Sequence, residues 1–311
     1  MLLVWLGFHL YREVMNQPGR EASWEQIKKA FTGPQSWQIY LAIFLVGANW
    51  GIEAMKWRYM IKPVQQISFF RAFKGVLAGT SMAVNTPNQV GEYFGRMIYV
   101  EEGNRLRTIP LTIAGSFSQL IVTLIAGSIG LVFFTGLVES APQTDLSVFW
   151  IKTLLSIAIM GTLLALLVYF KLSWLAKFTE RIPFIKRYQY MFSVLETLNT
   201  KVLLTTLGFS AGRYIVFMLQ YLLVMNAFGI NESLGVNICL VSVLFIVMSA
   251  IPTIVLAEAG IRGKAGMVIF GLVYTSRVAI IASGLFIWLI NLMLPALAGG
   301  LMLLGKRIFK K

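Results

Sequence analysis

The sequence is poor in the side chains on which most enzymes and metal centres depend. It holds one histidine, His9, and one cysteine, Cys239. A single cysteine excludes a disulfide within the chain, and no group of cysteine, histidine or acidic residues has metal-ligand spacing. Catalysis of the serine–histidine–aspartate kind lacks a base, and neither a phosphate loop nor a dinucleotide glycine motif is present. Soluble-type ATP hydrolysis is therefore excluded, and no cofactor and no metal are expected. Cys239 lies inside an apolar run, where a lone cysteine behaves as a small hydrophobe. Charge is scarce as well: 13% of residues are charged and only 13 are acidic, against 27 lysines and arginines.

What the chain has in abundance is apolar length. Hydrophobic residues make up 57% of 311 positions, in runs that exceed the roughly 18 residues needed to cross a bilayer core. The expected fold is an all-α integral membrane protein, a single transmembrane domain over 1–311. The formal charge of +14 does not make it a nucleic-acid binder, because the basic residues sit in short loops beside apolar spans. There they set topology and touch anionic headgroups.

Met1 to Tyr11 is expected to be a shortened first span rather than a signal peptide, since no basic region precedes it and no small-residue cleavage site follows. Trp37 to Trp57 is a full span carrying Glu53 and Lys56 near its end, followed by Arg58, Lys62, Arg71 and Lys74 on the expected cytoplasmic side. Glu53 is expected to pair locally with Lys56 or Arg58. Phe69 to Val84 is too short to cross and runs into Asn85-Thr86-Pro87-Asn88-Gln89, then a short amphipathic piece from Gly91 to Val100. A re-entrant hairpin broken at Pro87 accounts for this, with its backbone buried in protein or lining a wet cavity. Leu111 to Gly136 leads outward to an acidic loop with Glu139, Pro142 and Asp145, and Val148 to Phe170 returns.

Residues 171–201 form a basic, amphipathic cytoplasmic loop in which Trp174, Leu175, Phe178, Ile182 and Phe184 alternate with cations, as at headgroup level. Val202 to Phe228 runs outward with Arg213 in its inner half. Leu234 to Ala250 dives back, breaks at Pro252, and continues through Ala257, Glu258, Arg262 and Lys264 to Val273. Arg277 begins the last span, ending at the basic C-terminus. Both termini are then cytoplasmic, in the plasma membrane of a prokaryote. The total is about six full spans and two re-entrant hairpins.

The two breaks share a spacing. Pro87, Glu92 and Arg96 in the first correspond to Pro252, Glu258 and Arg262 in the second, with glutamate to arginine four residues in both. Because the breaks enter from opposite sides, residues 36–136 and 202–304 read as an inverted repeat, the architecture that builds transport sites where discontinuous helices meet. Glutamate four residues before arginine puts opposite charges on one helix face. On an insertion scale Glu92, Arg96, Arg213, Glu258, Arg262 and Lys264 together cost roughly 15–20 kcal/mol if they face lipid. They must face one another or water. Two readings follow: the pairs staple their hairpins, or they enclose a polar cavity that receives a charged headgroup, with Asn85 and Asn88 adding polar groups at the first break. Arg213 is either a phosphate contact or an arginine snorkelling to the interface.

The stretches Asn85-Thr86-Pro87, Gly91-Glu92 and Arg96, with Ile251-Pro252 and Ala257-Glu258-Ala259-Gly260-Ile261-Arg262, resemble the lysylphosphatidylglycerol synthase transmembrane-domain family. The resemblance spans nearly the whole chain. It implies flipping of lipids between leaflets, as in the flippase half of the bacterial multiple-peptide-resistance lipid synthase and in stand-alone membrane proteins of glycolipid and hopanoid pathways. Aminoacyl transfer is not expected, because the chain stops a few residues past its last span and the soluble transferase domain is absent.

The sequence thus leads to a flippase or scramblase rather than an enzyme, moving a membrane lipid with an anionic or zwitterionic headgroup. Glu92, Arg96, Arg213, Glu258, Arg262, Asn85 and Asn88 are its expected substrate-binding residues. The rivals are a non-catalytic membrane partner of a lipid-modifying or glycan-synthesising enzyme, and a membrane-bound lipid transferase. Homo-oligomers or a lipid-synthesis enzyme are the expected protein partners.

Overall fold

The computed structural model describes residues 15, 20–84, 86–140, 147–172 and 189–305. The expected first span with His9, the acidic-loop residues Pro142 and Asp145, the aromatic and basic positions 174–187 and the C-terminal cations lie outside these residues. All regular structure among the described residues is helical.

An amphipathic α1 (Arg20–Thr32) precedes α2 (Ser36–Ile61). The first short pair is α3 (Phe69–Ala83) and α4 (Gly91–Met97), followed by α5 (Thr108–Glu139), α6 (Val148–Phe170) and α7 (Thr200–Ala227). The second short pair is α8 (Leu234–Ala250) and α9 (Val255–Phe270). Then come α10 (Arg277–Trp288) and α11 (Leu294–Leu304), joined by one wide turn over Leu289–Met293. That turn has a local cause: Pro295 has no N–H to return to the carbonyl four residues back, so the helix widens instead of continuing its ladder. Among the described residues, five helices are long and apolar enough to cross a membrane: α2, α5, α6, α7 and the continuous Arg277–Leu304.

The short pairs owe their breaks to proline. A residue before proline is pushed out of helical geometry. Thr86, before Pro87, is extended at φ −113° and ψ 137°, and Ile251, before Pro252, is extended at φ −96° and ψ 108°. After Pro87 one tight turn follows, with Gln89 at φ +59°, and the Thr86 hydroxyl accepts the Gly91 N–H at 2.8 Å. Thr86 therefore acts as a turn former at this break.

The chain forms two compact units. One comprises Met1–Gly47, Thr123–Ile159 and Ile215–Met293; the other comprises Ala48–Val122, Met160–Tyr214 and Leu294–Lys311. The five long helices contribute residues to both, whereas α3 with α4, and α8 with α9, each belong to one.

In the unit that holds α3 and α4, glycine sets the packing. A Cβ on Gly95 would stand 2.5 Å from the Ala78 carbonyl oxygen, and one on Gly79 would stand 2.8 Å from that of Glu92. Gly91 and Gly95, four apart on α4, and Gly79 on α3 let the backbones touch, as membrane helices do when no hydrophobic drive separates protein from lipid. Gly299 brings α11 closer still to the Leu77 carbonyl. In the other unit, Trp288 donates its indole N–H to the Val255 carbonyl at 2.9 Å, tying α10 to the start of α9. There Phe217 and Tyr221 of α7 meet Phe245 of α8 edge to face.

Candidate functional site

Both glutamate–arginine pairs form as four-residue spacing dictates: Glu92 with Arg96, and Glu258 with Arg262. In each, the glutamate lies in the first turn, where its charge also complements the helix N-terminus. Their surroundings differ.

Arg96 leaves α4 across Gly79, whose missing side chain gives the arginine stem its path, and reaches the Glu53 carboxylate on α2 at 2.9 Å. The other oxygen of Glu53 meets Lys56 Nζ at 2.8 Å and Arg213 Nη1 at 2.9 Å. Arg213 also donates to Asn49 Oδ1 at 2.8 Å and lies over the Trp50 ring at 5.0 Å. Lys56 approaches Ser210 Oγ at 3.5 Å, and Ser210 shares a 2.7 Å hydrogen bond with Ser118. One carboxylate thus gathers three cations from α2, α4 and α7. Glu53, Lys56 and Arg96 are almost fully buried, while the side chains of Glu92 and Arg213 are each 19% exposed.

The local pairing expected of Glu53 is present, through Lys56. What the sequence did not reveal is that Glu53 is also the hub. Its one signal was a carboxylate inside an apolar span, which carries the same insertion penalty as the others.

In the other unit Arg262 donates to Glu258 and, at 3.1 Å, to the Tyr221 hydroxyl. Gly284 faces the arginine stem at ordinary van der Waals distance. A small, partly open cavity with about 230 Å³ of atom-free space adjoins them, lined by Tyr221, Arg262 and Ser283 and by apolar residues including Met225, Leu244 and Phe270. No sequence signal singled out Tyr221.

Of the expected binding residues, then, Glu92, Arg96 and Arg213 come together in one unit, and Glu258 and Arg262 in the other. Asn85 lies outside the described residues. Asn88 has its backbone in the turn after Pro87, and its side chain is likewise outside what the structure describes. Among the described residues no three metal-ligating side chains cluster.

A family model for the lysylphosphatidylglycerol synthase TM region matches residues 3–299. The chain belongs to this family. No curated protein and no solved structure matches it. Membership in the lysylphosphatidylglycerol synthase TM family, with five apolar helices of spanning length, makes the chain a multi-pass membrane protein related to lipid handling. The buried charge clusters are the polar features of that apolar scaffold.

Proposed function

We propose that the protein is a lipid flippase or scramblase that moves a lipid with a charged or phosphorylated headgroup between leaflets, without catalysing a reaction of its own. The observation that carries this reading is the network around Glu53, in which three cations and two carboxylates are held inside an apolar helical protein with two of them reaching the surface. Burying charge is costly unless the charges meet one another or a polar ligand, and intramembrane ionisable groups mark substrate paths. Lipid acyl chains would stay in the bilayer while the headgroup met these side chains.

Helix lengths support the re-entrant topology. At about 1.5 Å per residue α3 and α4 reach roughly 22 and 10 Å, and α8 and α9 roughly 26 and 24 Å, all short of a core of about 30 Å. The topology we propose has two oppositely entering hairpins in an inverted repeat, about six full spans, and both termini on the cytoplasmic side of a prokaryotic plasma membrane. Labelling of Asn88→Cys and Ile254→Cys from opposite sides is expected; labelling of both from one side would sink it.

The test of function is transbilayer movement of fluorescent anionic and zwitterionic lipids in proteoliposomes. Wild type is expected to move lipid, and Glu92→Gln and Glu258→Gln, folded to the same extent, are expected not to. A partner-subunit reading is favoured by one observation, that Arg262 already has both Glu258 and Tyr221. Absence of movement with every lipid, and co-purification with an enzyme, would select it.

A further inference from the structure

The charges around Glu53 do not balance. Counted at their formal charges, the groups that pair there are Glu53 and Glu92 against Lys56, Arg96 and Arg213, an excess of one positive charge. Donors are in excess too. Arg96 Nε and Trp50 Nε1 are buried with no acceptor among the described residues, although both residues are more than nine-tenths buried. An arginine stacked on that same Trp50 ring, and a second, Arg96, 5.8 Å from the Trp57 ring, present planar guanidinium groups of the kind that suit phosphate oxygens. The pair around Arg262 is different, since Glu258 and Arg262 cancel.

We propose that the Glu53 cluster is a receptor for a monoanionic phosphate, the phosphodiester of a net-anionic lipid headgroup, entered past Arg213 and Glu92. Charge decides the class. One added negative charge neutralises the cluster, whereas a phosphate monoester dianion would reverse it. A zwitterionic headgroup brings a second positive charge that Arg213 repels, and a cationic one fits worse still. The inference rests on the lipid-translocation reading for the source of its phosphate, but binding tests it separately from movement.

The experiment is equilibrium binding of short-chain phosphatidylglycerol and phosphatidylcholine to the purified full chain in neutral detergent, at low and at physiological salt. Wild type is expected to prefer phosphatidylglycerol by about tenfold or more, the scale of one charge-assisted hydrogen bond. Arg213→Gln, which brings the cluster to zero at its exposed edge, is expected to erase the preference. Glu92→Gln, which raises it to +2, is expected to strengthen binding, a gain that a misfolded protein cannot mimic. Glycerophosphoglycerol competing as well as the lipid would assign the site to a free phosphodiester, still within the proposal. Equal affinity for the two lipids in wild type, or weaker phosphatidylglycerol binding in Glu92→Gln, overturns it. Selective binding without movement would leave this site standing and remove the flippase reading; movement without selectivity would do the reverse.

Discussion

The two glutamate–arginine pairs have the same spacing and the same local geometry, yet one is a member of a five-charge network and the other is almost self-contained. Arg96 shares Glu53 with Lys56 and Arg213, whereas Arg262 is completed by a neutral tyrosine beside an apolar cavity. The lesson is that four-residue spacing determines a pair and nothing more. What the pair does depends on what the long helices bring to it, and α7 brings an arginine to one unit and a tyrosine to the other. The first cluster is suited to holding charge; the second is suited to holding an arginine still.

The largest effect should come from removing the hub. Glu53→Gln leaves Lys56, Arg96 and Arg213 with Glu92 as their only carboxylate, and one amide oxygen cannot serve all three. Breaking such a buried network is expected to cost about 3–5 kcal/mol. Glu258→Gln keeps an acceptor for Arg262, which also retains Tyr221, so a loss of about 1–3 kcal/mol is expected. Reversible unfolding in detergent, followed by tryptophan fluorescence or circular dichroism, measures both. Equal losses would mean that the extra partners of the first pair add nothing.

Much of this comparison was legible in the sequence, and its limits have a physical origin. The helices Val148–Phe170 and Leu234–Ala250 were readable to the residue because hydropathy, and for the second Pro252, mark their ends. The pairs Glu92–Arg96 and Glu258–Arg262 were readable because helix geometry alone brings them together. Glu53 was readable only as a local partner of Lys56, three residues on. Its contacts with Arg96 and Arg213 span 43 and 160 residues, and no local periodicity encodes them. A sufficient local partner hid the distant ones. Tyr221 was less legible still, since a tyrosine in an apolar helix is ordinary until an arginine is found against it. The close packing of α3 on α4 was present as Gly79, Gly91 and Gly95, but which neighbour each glycine meets is a tertiary fact.

Packing offers the next test of the contrast. Gly95→Ala puts a methyl group 2.5 Å from a backbone oxygen that cannot turn aside, so α4 must shift and carry Arg96 with it. A destabilisation of about 1–3 kcal/mol is expected. Gly284→Ala places its methyl 3.5 Å from the Arg262 stem, an ordinary contact, and should stay within about 0.5 kcal/mol. If lipid movement responds to the first substitution and not the second, the path of Arg96 over Gly79 matters to function as well as to stability. Indifference to Gly95→Ala would mean that the first hairpin is packed more loosely than its glycines imply.

The smallest single effect should come from Tyr221→Phe, which removes one neutral hydroxyl from Arg262 while Glu258 remains. About 1 kcal/mol is expected, since a hydrogen bond to a charged group is lost but the charge keeps its main partner. Its value lies in combination with Glu258→Gln, because each substitution alone leaves the arginine one original partner and the two together leave none. The double variant should therefore lose more than the sum of the singles, by about 0.5–3 kcal/mol. Simple additivity would show that water from the adjoining cavity replaces either partner freely. The two pairs would then differ in their access to solvent, and the contrast between a charge-holding and an arginine-holding site would have to be redrawn on that basis.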